Sequence, residues 1–234
     1  MRNYACNVEW LGEKEICSIL GKFSRVYLIG DSLTRHMAQT LFMMLSGDYQ
    51  YGSFPRIKIN ELSPLSNCGC DGQFSESQMC RNYKHDFSFR DITELGFCSF
   101  FESIKYKNIS MSSSIFKDSS NGFPDDFCIN DDRPHLIFIQ GGSHFDTSTT
   151  YFMSLFFDQW MKNIQKFAAQ CPYELRYIFV ASGVPANSAA ITAKYPDQSD
   201  GNSAYFNTNL EEILKIKYPQ VVFLNFWNLT HEAV

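Results

Sequence analysis

Four short apolar runs punctuate the chain, and the stretch after each of the first three carries a helical period. The runs are Val26-Tyr-Leu-Ile29, Leu136-Ile-Phe-Ile139, Tyr177-Ile-Phe-Val-Ala181 and Val221-Val-Phe-Leu-Asn225. A continuous apolar run of this length reads as a strand covered on both faces. Leu33, Met37, Leu41, Met44 and Leu45 recur at helical spacing, which predicts a helix over about 34–46. Met153, Phe156, Phe157, Trp160, Ile164, Phe167 and Ala168 make a second apolar stripe within 151–170, and a third helix covers about 203–217. Strands joined by helices of this length run parallel, because the crossover carries the chain back to the edge it started from. The expectation is an α/β fold in which a central parallel sheet forms the middle of a three-layer sandwich, with 1–234 as a single domain.

The segment 49–132 breaks this rhythm. It is rich in Ser, Cys, Phe and Gly and reads as a long cysteine-rich insertion with some short strands. Loops on such a sheet gather over the carboxyl ends of the strands, so the insertion is a candidate lid or specificity region. The chain has eight cysteines; Cys68, Cys70, Cys80 and Cys98 fall in the first half of this segment or just after it, and Cys128 near its end. Zinc is the competing use. The C-x-C and C-x9-C spacing lacks the paired C-x2-C knuckles of zinc ribbons, which favours disulfides and leaves no expected metal.

With 44% hydrophobic and 19% charged residues over 234 positions, the composition is globular. The net charge of -5 and the scattered basic residues argue against nucleic acid as a partner. No apolar run approaches the roughly 20 residues that span a bilayer. Sequons at Asn108 and Asn228, with the cysteines, point to a secreted protein or the lumen of the secretory pathway. The N-terminus carries no apolar signal sequence, so the alternatives are a cytoplasmic chain or a fragment.

The first apolar run ends in Gly30-Asp31-Ser32-Leu33 and passes straight into a helix. Gly30 permits the tight turn out of the strand. Ser32 then sits at a helix N-terminus, where unpaired N–H groups and the helix dipole favour an oxyanion. A hydroxyl held there suits acyl transfer. The competing reading is that Asp31 and Ser32 cap the helix.

The run Gly30-Asp-Ser-Leu-Thr-Arg35 resembles the first block of SGNH/GDSL hydrolases, and specifically the PC-esterase-like branch that includes polysaccharide O-acetyltransferases. The resemblance covers the α/β portions from about 24 onward and not the cysteine-rich middle. It implies the flavodoxin-like SGNH fold, Ser32 as nucleophile and oxyanion donor, and Arg35 as a substrate contact. It also implies a third block after the second apolar run. There the chain reads Gln140-Gly-Gly-Ser-His-Phe-Asp146, so Gly142, Ser143 and His144 are the candidate oxyanion or substrate residues, without the family's Asn. Gly52, Gly69 and Gly72 are candidates for the second block, although a turn glycine is the better reading of each.

The family's base lies in an Asp-x-x-His motif after the last core strand. Here Asn228-Leu-Thr-His231 has the spacing, with Asn in place of Asp. Asn can orient an imidazole but supplies no charge to stabilise the imidazolium. Two readings stand: His231 is the base, or the true motif lies beyond Val234 in a truncated chain. His36, His85 and His135 read as structural or surface residues.

The expected activity is therefore that of a serine esterase or O-acyltransferase acting on acyl esters of glycans, most simply acetyl esters, without a cofactor. The second hypothesis is an inactive SGNH-like domain that binds glycans or protein, with Phe54, Phe74 and Tyr83 available to stack on sugars. The third, a flavodoxin-like nucleotide binder, lacks a G-x-G-x-x-G run and a Walker lysine.

Overall fold

A computed structural model describes residues 11–30, 32–46, 90–91, 98, 110–115, 133–141, 148–169, 175–180, 196 and 199–231. In chain order these give α1 (Glu13–Leu20), β1 (Arg25–Gly30), α2 (Ser32–Ser46), β2 (Arg90–Asp91), β3 (Ser110–Ile115) and β4 (His135–Gln140). Helix α3 then starts as Thr149–Tyr151, widens to a π-helical stretch over Phe152–Phe157 and continues as Asp158–Ala168. Strand β5 (Leu175–Val180), α4 (Asp200–Lys217), β6 (Val221–Leu224) and α5 (Phe226–His231) complete the described elements.

The strands form one sheet in the order β2-β3-β1-β4-β5-β6. All neighbours are parallel except the short β2, which runs antiparallel to β3. Strand β1 is buried along its whole length. Its side chains alternate between two apolar clusters, as the two-residue period of a strand requires. Tyr27 and Ile29, with Ile137 and Ile139 of β4, pack under Phe152, Phe157, Trp160 and Ile164 of α3 and Phe206, Leu210 and Leu214 of α4. Val26 and Leu28 face the other way, onto Ile16, Cys17 and Leu20 of α1 and Ala38 and Leu45 of α2. Helices thus cover opposite faces on the two sides of β1.

Two elements depart from the sequence expectation. Strand β3 falls inside the segment read as an insertion, yet it pairs with β1 over its full length, from Arg25↔Ser110 to Gly30↔Ile115. Its sequence, Ser-Met-Ser-Ser-Ser-Ile, has low intrinsic strand preference, so pairing with an apolar neighbour recruits it. The second departure is the π-helical stretch. The wider turn brings residues five apart onto one face, and Phe152 and Phe157 are both fully buried with ring centroids 6.0 Å apart.

The amino edge of the sheet is tied by backbone. The Ser24 N–H donates to the Pro134 carbonyl at 3.0 Å, and the Ser24 hydroxyl donates to the Arg133 carbonyl at 3.2 Å. Arg133 Nη1 reaches the Gly21 carbonyl at 3.3 Å. His135, which the sequence left between a structural and a surface role, is buried here at the start of β4, opposite Arg25. A disulfide joins Cys17 of α1 to Cys98, which holds a positive φ of 54°. The remaining cysteines of 49–132 lie outside the described residues.

Candidate functional site

The strand order reverses at β1. The chain goes from β1 to β3 on one side and then to β4, β5 and β6 on the other. Loops leaving adjacent strands on opposite sides of such a switch point part from each other and leave a crevice outside the carboxyl ends. That place here is between the carboxyl ends of β1 and β4, which pair in register through Ile29↔Ile139.

Ser32 opens α2 two residues after β1 ends at Gly30. The N–H groups of a helix's first turn have no partner within the helix, so the backbone at Ser32 brings donors to this end of the sheet. Gly30 is confined there. A Cβ at this position would collide with the Thr34 hydroxyl oxygen and the Gln140 carbonyl oxygen. Glycine is therefore needed for close approach of β1, α2 and β4, in addition to any role in the turn.

Thr34 and Gln140 were not among the residues singled out from sequence. Thr34 lies in the first turn of α2, Gln140 ends β4, and both are buried, at 0% and 2% exposure. The Thr34 hydroxyl donates to Gln140 Oε1 at 2.9 Å. Gly141 follows directly, and a Cβ on it would approach the Phe152 ring to 2.7 Å. The last residue of β4 and the first of the following loop are thus held between α2 on one side and the π-helical stretch of α3 on the other. Sequence gave one weak signal for this pair, a polar residue at each end of an otherwise apolar unit.

The other expected site residues divide into three groups. Asp31, Gly142, Ser143 and His144 lie outside the described residues, as do Gly52, Gly69 and Gly72. Ser32 and Arg35 are placed by their backbone on the first turn of α2. His231 ends α5, after β6. The carboxyl ends of β1 and β6 belong to the same edge of the sheet but are separated by β4 and β5. Three strand spacings put them about 14 Å apart. Asn228, the partner suggested for His231, is exposed one helical turn before it. Its N–H donates to Asn225 Oδ1 at 3.0 Å, a cap that starts α5. The structure brings Gly30 and the Ser32 backbone to the end of β4, and it places His231 by its backbone at the end of α5, which meets α4.

Among the described residues one titration is displaced, at the end of α4. Burial, followed by the hydrogen bond to Asp158 and its charge, pushes the Tyr218 phenol well above its ordinary range. The Tyr218 hydroxyl donates to Asp158 Oδ1 at 2.7 Å, and Lys217 Nζ lies 2.6 Å from Asp158 Oδ2. This trio fastens the end of α4 to α3. Among the described residues no group of three His, Cys, Asp or Glu side chains could hold a metal ion, and no helix is long and apolar enough to cross a membrane. No family model, curated protein or solved structure matches the chain.

Proposed function

We propose that the chain is a serine esterase or O-acyltransferase of the SGNH/GDSL kind, with a three-layer α/β fold, acting on acyl esters of glycans. The observation that carries this reading is the position of Gly30-Asp-Ser-Leu33: β1 ends and α2 begins at the switch point of the sheet. A nucleophile there has helix N–H groups on one side and the loop after β4 on the other. Ser32 Oγ attacks the ester carbonyl while His231 takes its proton. The N–H of Ser32 and donors from the loop 141–144 hold the tetrahedral oxyanion. The alcohol leaves with the proton, and the acyl-enzyme passes its acyl group to water or to a sugar hydroxyl. Arg35, on the same turn as Ser32, would contact the substrate. The Cys17–Cys98 pairing supports a secreted or luminal setting.

The test is turnover of p-nitrophenyl acetate together with labelling by a fluorophosphonate. Ser32→Ala is expected to lower kcat by about a thousandfold or more and to abolish the label. Equal turnover in the two proteins refutes the assignment. Asn228 in the place of an aspartate, exposed and with its N–H engaged in the cap of α5, favours a second reading, an inactive domain that binds acetylated glycans. It requires wild-type protein that binds such oligosaccharides and neither turns over the ester nor takes up the label.

A further inference from the structure

We infer that Thr34 and Gln140 form a positioning clamp that holds two halves of the site's frame in register, the first turn of α2 with its Ser32 N–H and the end of β4, so that their hydrogen bond governs kcat and not substrate affinity. The inference rests on the serine-esterase reading above. The two halves come from distant parts of the chain: the bond joins residues 106 positions apart. Thr34 is two residues beyond Ser32 on the same helical turn, and Gln140 immediately precedes the loop at Gly141. A displacement at Thr34 passes through two planar peptide units to the Ser32 N–H, and one at Gln140 passes directly to Gly141.

The environment leaves the clamp little freedom. Both side chains are buried, and Gly30 packs against both residues with no room for a methyl group. Gln140 is also held in the ladder opposite Val180 of β5, and Gly141 rests on the Phe152 ring. A buried neutral hydrogen bond adds only about 1 kcal/mol of net stability, and an apolar pair of the same shape would fold about as well. What the polar pair supplies is direction. Oxyanion donors act only within a narrow distance of the developing charge, and an error of about 1 Å can cost roughly a hundredfold in rate. Neither residue touches the reacting atoms, so both are positioning residues.

The test measures kcat and KM for p-nitrophenyl acetate, with fluorophosphonate labelling and thermal unfolding, on wild type, Thr34→Val, Thr34→Ser and Gln140→Met. Thr34→Val keeps the shape and removes the donor, and its kcat is expected to fall about 10- to 100-fold with KM within about twofold. Thr34→Ser keeps the hydroxyl and is expected to return kcat to within about threefold of wild type. Gln140→Met removes the acceptor and supplies the same comparison if Thr34→Val fails to fold. Its loss should match that of Thr34→Val, and the double variant should be no worse than either, because both remove one bond. Wild-type kcat in either clamp variant, or equal losses in Thr34→Val and Thr34→Ser, overturns the clamp and leaves the esterase reading intact. Absence of turnover and labelling in the wild type overturns both.

Discussion

Replacing Gly30 by alanine adds one methyl group where β1, α2 and β4 meet closely. Its Cβ would lie 3.0 Å from Thr34 Cβ and would overlap the Thr34 hydroxyl oxygen and the Gln140 carbonyl oxygen. The carbonyl belongs to the β4 backbone and can yield only if the ladder shifts. Overpacking of this kind costs about 1–3 kcal/mol. Thr34 must rotate away as well, so its bond to Gln140 is lost and a buried polar group is left without that partner, at a further cost of about 1–3 kcal/mol. Against these stands a gain of about 0.4–1 kcal/mol from a less flexible unfolded chain. The net loss is about 3 kcal/mol, a large share of the roughly 5–15 kcal/mol that holds a domain folded. With a urea slope of about 3 kcal/mol/M for a chain of this size, the unfolding midpoint falls by about 1 M. Gly201 provides the control, because it is exposed in the first turn of α4 and a Cβ there meets nothing within 4 Å. Gly201→Ala is expected to raise stability by about 0.5 kcal/mol, since alanine favours the helix and only the unfolded chain loses freedom. Urea unfolding followed by far-UV circular dichroism measures both. A Gly30→Ala midpoint within about 0.2 M of wild type refutes the steric argument, as does a loss of the same size in Gly201→Ala.

Two further outcomes follow from contacts away from the crevice. The disulfide Cys17–Cys98 spans a sequence separation of 81, and loop-closure entropy for that length is worth about 4.5 kcal/mol. The Cys17→Ala/Cys98→Ala variant should therefore lose up to about that much in urea unfolding; an unchanged midpoint would mean that the pair does not constrain the unfolded chain. Tyr218→Phe removes a hydrogen bond to a carboxylate that keeps Lys217, so it should cost about 1.5 kcal/mol near neutral pH. Because the phenol titrates above its ordinary value in the folded protein, its contribution is complete below about pH 10 and is lost as pH rises further. The stability gap between wild type and Tyr218→Phe should narrow above that pH; a constant or widening gap contradicts the Asp158 contact.

What the sequence discloses depends on whether the signal is local. The apolar runs at 26–29, 136–139, 177–181 and 221–225 coincide with β1, β4, β5 and β6 to within a residue or two; β1 is buried throughout, as such a run predicts, whereas β6 leaves Val222 and Leu224 exposed. Helix α2 follows from the spacing of Leu33, Met37 and Leu41. Helix α1 is short and buries only Ile16, Cys17 and Leu20, too little to show a period. Strand β3 carries four serines in six positions and becomes a strand through what lies beside it. The π-helical stretch is equally hidden, since Phe152, Met153, Phe156 and Phe157 would satisfy an ordinary amphipathic helix.

The candidate site divides along the same line. Gly30-Asp-Ser-Leu33 is a local motif, and its strand and helix can be read in place. Its neighbour at the end of β4 is a matter of strand order, and no local pattern states that β3 goes to one side of β1 and β4 to the other. Gln140 illustrates the consequence. Beside Leu136-Ile-Phe-Ile139 it reads as the polar residue that closes a strand, where solvent ordinarily begins. In the structure it is almost fully buried, because Thr34 and Gly30 arrive from β1 and α2 to seal it. A polar side chain buried at a strand's carboxyl end needs a partner, and at a switch point that partner comes from the first residues of the neighbouring helix. The same polar ends that make the site hard to recognise in sequence are therefore what ties its two halves together.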